Sequence, residues 1–324
     1  MPVIETIELT KDYRVGFWRK QARRALDGLS LQVKAGEVFG LLGPNGAGKT
    51  TTLKILLGLV FPTSGLVRLF ERDPRDISAH HNIGYLPENP SFYDHLTARE
   101  FMTYAASLFG LSGRDRSRRV ARLLDQVGLT GDLPLRKFSK GMIQRLGIAQ
   151  SLVNDPEIVF LDEPMSGLDP VGRREVRNLI LDLKEKGKTI FFSTHILSDA
   201  ETLCDRVAIL DRGKLQGCGE LREILEVGLS STEVVLEKPN RDVIVALEPY
   251  ACSIVRTGNR VRLVLRAESD VDQALAAIVG WKAKLISLNP VRLSLEDYFM
   301  ERVQNKGGSS AGGNAAGMEP AKGE

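Results

Sequence analysis

Residues 43–50 read GPNGAGKT, an instance of G-x-x-x-x-G-K-[ST]. The spacing has a physical purpose. Glycines let successive backbone N–H groups turn toward one centre and make a nest for an anion. The lysine reaches the β- and γ-phosphates of a nucleotide, and the hydroxyl after it ligates Mg2+. The stretch follows the apolar run VFGLL (38–42) and precedes the helical run TTLKILLGL (51–59). That is the strand–loop–helix context the pattern requires. The helix start adds partial positive charge and free N–H donors. On this reading Gly43, Pro44, Asn45, Gly46, Ala47 and Gly48 form the phosphate cradle. Lys49 meets the β- and γ-phosphates, Thr50 the metal and Thr51 the α-phosphate.

IVFLDEP (158–164) supplies a second element. A buried strand ends in two adjacent acids that point in different directions. Ligands of open α/β sheets bind at that carboxyl edge. Phosphoryl transfer needs a metal holder and a water-positioning group. Asp162 suits the first task and Glu163 the second. Alone, an acidic pair after a strand reads as a helix cap; beside a phosphate-binding loop it reads as chemistry.

Further motifs follow in order: GYLPENP (84–90), FSKGMIQR (138–145), SGLD (166–169) and STH (193–195). With the two above, this set resembles the ATP-binding subunit of an ABC transporter across residues 3–220. The resemblance implies that ATP with Mg2+ is sandwiched between two copies of the chain. Each copy offers its phosphate-binding loop to one face of the nucleotide and its Ser139 loop to the other. It implies nucleotide contacts from Ser139, Gly141, Met142 and Asp169, and a γ-phosphate and water contact from His195. It also implies that Tyr13 in LTKDY stacks on adenine, although Phe17 and Trp18 lie close enough to serve instead.

Two positions depart from the family text. Glu88 stands where the family usually carries Gln. Both can accept a bond from metal-bound water, but Glu adds charge and loses the amide donor; Glu88 is kept as a metal-side and catalytic candidate beside Lys49, Glu163 and His195. In FSKGM, Lys140 and Met142 replace Gly and Gln of LSGGQ, while Ser139 and Gly141 are kept. The texts LPEN, SKGM and STHILSDAE resemble the exporter-like subset with ABC-2 type partners. The partner implied is a separate integral membrane permease, which places a homodimer of this chain on the cytoplasmic face of the membrane.

Several elements must position these groups. VFGLL, IVFL (158–161), TIFFS (189–193) and VAIL (207–210) are continuous apolar runs, as expected of strands buried on both faces of a parallel sheet. Helical patterns between them argue α/β. Residues 92–128 lack such a strand and read as a helical insertion, with TARE (97–100) as a capping box. The fold class expected is therefore an α/β P-loop NTPase of ABC type over 1–225, with a helical subdomain at about 89–150. Residues 229–304 alternate as βαββαβ, a ferredoxin-like α+β unit closed by a last helix, SLEDYFMERV. The Gly-, Ser- and Ala-rich stretch 305–324 reads as disordered.

The basic stretches RVGFWRKQARR (14–24) and GRDRSRR (113–119) read first as solvated faces, with a nucleotide or partner contact as the other reading of 14–24. A net charge of +3 over 324 residues is too weak to argue for nucleic acid. The three cysteines have no CxxC spacing and read as reduced thiols. The start MPVIETIELTKDY lacks the apolar core of a signal peptide. No run approaches the ~20 apolar residues of a membrane span. A soluble role in translation or DNA repair is a rival, set against the single nucleotide unit and the lack of a heptad segment. A non-hydrolysing regulator is another, set against Glu163 and His195.

Overall fold

The computed structural model describes residues 2–15, 21–226, 231–265, 269–291 and 295. The chain divides into two compact units, 1–223 and 224–324. In chain order the first contains β1 (Pro2–Val15), β2 (Gln21–Lys34), β3 (Val38–Leu42), α1 (Lys49–Leu56), β4 (Ser64–Leu69), α2 (Ile77–His80) and β5 (Ile83–Leu86). Next come α3 (Ala98–Leu108), α4 (Gly113–Gln126), α5 (Lys140–Ser151), β6 (Ile158–Asp162) and α6 (Pro170–Glu185). It ends with β7 (Thr189–Thr194), α7 (Leu197–Leu203), β8 (Arg206–Asp211) and β9 (Lys214–Glu220), and α8 (Leu221–Glu226) crosses the boundary.

The central sheet has the order β5-β6-β7-β3-β8-β9. The first five strands are parallel, and β9 returns antiparallel to β8. Every residue of β3, β6 and β7 is buried, which is why their sequences run apolar without alternation. Phe39, Phe191 and Phe160 fill the centre, the ring centroid of Phe191 lying 5.5 Å from that of Phe39 and 5.8 Å from that of Phe160. A second sheet, β2-β1-β4, is antiparallel and shares this core through Ile4, Leu9, Leu29 and Leu31.

Helix α3 starts where the TARE capping box placed it. Thr97 caps α3: its hydroxyl oxygen accepts the Glu100 N–H at 3.2 Å, and the Glu100 carboxylate accepts the Thr97 N–H at 2.8 Å. The stretch 92–128 is two helices, with a break at Phe109–Ser112. The end of α5 lies directly on β5: a Cβ at Gly84 would run into the Ser151 carbonyl oxygen. That contact brings the start of β5 against the insertion.

The second unit contains β10 (Ser231–Glu237), α9 (Arg241–Leu247), β11 (Ala251–Thr257), β12 (Arg260–Leu265), α10 (Ser269–Gly280) and β13 (Lys284–Val291). Its sheet runs β11-β12-β10-β13, with every neighbouring pair antiparallel. Alternate residues of β10 and β12, among them Val234, Leu236, Val261, Leu263 and Leu265, join Val243, Leu247, Ala274 and Ile278 of the helices in one core. The turn between β11 and β12 has Gly258 at φ +58°. The closing helix expected near 294–303, apart from Leu295, and the stretch 305–324 lie outside the described residues. No helix among the described residues is long and apolar enough to cross a membrane.

Candidate functional site

Strands β6, β7 and β3 are adjacent and parallel, so their carboxyl ends open on one edge. GPNGAGKT leaves β3, Asp162 and Glu163 end β6, and His195 follows β7. Three motifs separated by up to ~150 residues are thus brought together by strand order.

The 43–50 loop is fixed by close backbone approach. A Cβ at Gly43 would strike the Leu210 carbonyl of β8, so only glycine fits there. Gly43 N–H donates to the Thr194 carbonyl at 3.3 Å, and Gly213 N–H to the Ala47 carbonyl at 2.9 Å. Helix α1 begins at Lys49 without a side-chain cap, which leaves its first N–H groups facing the loop. Lys49 is 6% exposed. Its ammonium donates to the Gly43 and Pro44 carbonyls at 2.7 and 3.3 Å and pairs with Glu163 Oε1 at 3.2 Å.

Asp162 is buried and takes two hydroxyl donors on Oδ1: Ser193 at 2.6 Å and Thr50 at 3.3 Å. Burial pushes its carboxyl up, and those two hydrogen bonds oppose the shift. Thr50 and Asp162 together offer hard oxygen donors, the kind Mg2+ prefers, and one carboxylate with one hydroxyl leaves room for phosphate oxygens and water. Among the described residues no cluster of three His, Cys, Asp or Glu side chains could hold a metal alone. The donor set fits a cation shared with a nucleotide.

Glu163 has φ +48°, the left-handed region that non-glycine residues rarely adopt. Its Oε2 lies 2.8 Å from His195 Nδ1. An ionised carboxylate only accepts, so Nδ1 carries the proton and the ring is held in one orientation. Tyr85, in the strand before Glu88, is pushed up to about 12 by burial first and by the charges of Asp162 and Glu88.

A cavity of about 1040 Å³ opens over this edge. Asn45, Gly46, Gly48, Lys49, Thr50 and Thr51 line it, with Glu88, Glu163, His195 and Tyr13. Lys11 Nζ sits 5.1 Å from the centre of the Tyr13 ring. Phe17 and Trp18 lie outside the described residues. Arg14, Arg23 and Arg24 are exposed, as the sequence favoured for 14–24, and they also line this cavity, with Arg212 from the β8–β9 turn. Arg24 is tied to Asp12 and Asp27, both at 2.9 Å. The antiparallel pairing of β1 with β2 is the reason, since it sets Tyr13 opposite Arg23 and Asp12 opposite Arg24.

Ser139, Gly141, Met142 and Asp169 do not line that cavity. Ser139 caps α5, its oxygen accepting the Met142 N–H at 3.3 Å. Asp169 caps α6, accepting the Gly172 N–H at 3.1 Å. The two helix starts are close: a Cβ at Gly141 would come within 3.9 Å of Gly172 Cα, and the Lys140 ammonium lies against Gly167. Lys140 thus leans on the SGLD loop of its own chain. Two buried groups escaped the sequence reading. Ser193 touches both acids, and Asp199 of α7 is within electrostatic reach of His195 and Glu163. Both flank His195 in STHILSD, which was the available signal.

The chain has clear relatives among known proteins. The family described as ABC transporter matches residues 26–166. An uncharacterised ABC transporter ATP-binding protein of Synechocystis is 48% identical over 309 residues, 94% of this chain and 86% of that protein. A bacitracin transport ATP-binding protein of Bacillus licheniformis is 43% identical, over 66% of this chain and 68% of that protein. A fluoroquinolones export ATP-binding protein of Mycobacterium tuberculosis is 44% identical, over 60% and 65%. Among solved structures, a dimeric ATP-binding cassette in a post-hydrolysis state, bound to ADP and Pi, is similar. It has a TM-score of 0.61 and 27% identity, over 68% of this chain and 99% of that one.

Proposed function

Because the chain belongs to the family of ABC transporter ATP-binding proteins, we propose the following assignment of its site and partners. The chain is an ATPase that powers transport through a separate membrane-spanning subunit. Lys49 neutralises the β- and γ-phosphates, the N–H groups of 43–48 cradle them, and Thr51 meets the α-phosphate. Thr50 and Asp162 would hold Mg2+, with Glu88 lining the same cavity. When bound, the cation neutralises charge on the β- and γ-phosphate oxygens. Glu163 accepts a proton from the attacking water, and His195, anchored through Nδ1, keeps that carboxylate and water aligned. Tyr13 stacks on adenine.

Two copies close on the nucleotide, each presenting Ser139 and the first N–H groups of α5 to the γ-phosphate on the other. Met142 and Gly141 contribute backbone to that face, and Asp169 lies at the same seam. The helical insertion passes the motion to the permease around Phe92, Tyr93 and the start of α3. The homodimer works on the cytoplasmic face, without nucleic acid. Export is the direction favoured, as for the mycobacterial relative. The ATPase domain spans 1–225 with its helical subdomain at about 89–150, and 229–304 is a ferredoxin-like accessory domain.

The observation that carries this reading is the convergence of Lys49, Asp162, Glu163 and His195 at the ends of three adjacent strands. Glu163→Gln tests it. Turnover should fall at least ~100-fold while ATP binding persists and an ATP-bound dimer accumulates on size exclusion. Parental turnover in that variant would sink the assignment.

A further inference from the structure

Ser193 is fully buried on β7 and paired in register with Asp162 on β6. Its hydroxyl has two partners. The Glu163 N–H, which can only donate, lies 3.0 Å from Oγ. The single hydroxyl proton therefore goes to Asp162 Oδ1, 2.6 Å away. The same N–H also reaches the Ser193 carbonyl at 3.2 Å. One residue thus grips Glu163 by its backbone and Asp162 by its side chain.

The backbone grip matters because Glu163 sits at φ +48°. Such a conformation persists only where its surroundings over-determine it. From this turn the Glu163 carboxylate reaches both His195, at 2.8 Å, and Lys49, at 3.2 Å. A fully buried hydroxyl is costly unless its bonding capacity is used. Here it is used as acceptor and as donor. Alanine or valine would satisfy the packing of a buried strand, so packing alone gives no reason for serine.

We infer that Ser193 is a positioning residue for ATP hydrolysis: its hydroxyl locks the turn that aims Glu163 and fixes the orientation of Asp162. Both acids are then set by one group. The inference rests on the roles given to Asp162 and Glu163 above. Loss of such a support displaces reacting groups by fractions of an ångström, which affects the chemical step more than ground-state binding. The 43–50 loop is anchored by backbone hydrogen bonds from Gly43 to the Thr194 carbonyl and from Gly213 to the Ala47 carbonyl, neither of which uses the Ser193 hydroxyl, so ATP affinity should change less than turnover.

Steady-state ATPase kinetics and thermal unfolding of full-length Ser193→Ala, Ser193→Thr and Glu163→Gln test this. Ser193→Ala should lower kcat about tenfold, with KM for ATP within about threefold and a folded melting curve. Ser193→Thr, which keeps the hydroxyl, should return kcat to within about threefold of the parent. A parental kcat in Ser193→Ala would overturn the inference, as would a loss confined to KM or a threonine variant as slow as alanine. Full turnover in Glu163→Gln would overturn the site assignment itself. A slow Glu163→Gln beside an unimpaired Ser193→Ala would overturn only the positioning role.

Discussion

Lys49 Nζ and Glu163 Oε1 form a buried ion pair at 3.2 Å, with 6% and 7% of the two side chains exposed. The lysine of the phosphate-binding loop and the acid at the end of β6 therefore neutralise each other. Breaking such a pair by removing one partner strands the other charge, at a cost of about 3–5 kcal/mol. Lys49→Ala should show that loss in urea unfolding. Glu163→Gln keeps an acceptor oxygen facing Lys49 and should lose less. A loss in Lys49→Ala well below that range would argue against the pair as a structural tie.

Ser139 has one observed job, as a helix cap, and the proposed dimer gives it a second. As the N-cap of α5 its oxygen holds the Met142 N–H, and Ser139→Ala should cost about 1 kcal/mol of stability. As the face offered to a second copy, it should be blocked by bulk. Ser139→Arg is expected to bind ATP with near-parental affinity in equilibrium titration and to lose cooperative hydrolysis. Normal dimerisation and turnover in that variant would remove Ser139 from the shared site.

Tyr13 lines the cavity beside the phosphate-binding loop. Loss of a base-stacking ring typically costs about 1–3 kcal/mol, so Tyr13→Ala should raise the KM for ATP about tenfold. Tyr13→Phe should stay near the parent. The same measurement on Phe17→Ala and Trp18→Ala decides which aromatic serves, and a Tyr13→Ala protein with parental KM would pass the role to one of them.

Asp199 is buried, and its Oδ2 has no hydrogen-bond partner among the described residues. Burial raises its carboxyl above the ordinary 3.8, against the pull of Arg173 and Arg177. Between the unfolded value and the raised one, the native state holds a proton that the unfolded chain has released. Stability from this group is therefore full below the unfolded value and falls as pH rises through that window. Asp199→Asn removes the titration. Its stability relative to the parent should grow with pH from about 4 upward, read from unfolding free energies at several pH values. A pH-independent difference would show that Asp199 keeps its ordinary value.

The sequence by itself determined the strands that carry chemistry and the residues at their ends. Uninterrupted apolar runs have one use in an α/β protein, burial on both faces, and VFGLL, IVFL, TIFFS and VAIL all became central strands. The TARE box fixed the start of α3 because its two hydrogen bonds join residues only three apart. Local signals of this kind need no partner elsewhere in the chain.

What only the tertiary structure decided was who stands beside whom. The order β6-β7-β3 places Ser193 against both acids and Lys49 against Glu163, and no local pattern encodes strand order. The pairing of β1 with β2 set the exposed Arg14, Arg23 and Arg24 along the cavity rim beside Tyr13, which composition alone could not show. Lys140 settled on Gly167 for the same reason: α5 and α6 start side by side although nearly thirty residues separate them. Contacts between residues far apart in sequence depend on how whole elements pack, and that free energy is summed over the fold, so it leaves no mark at any one residue.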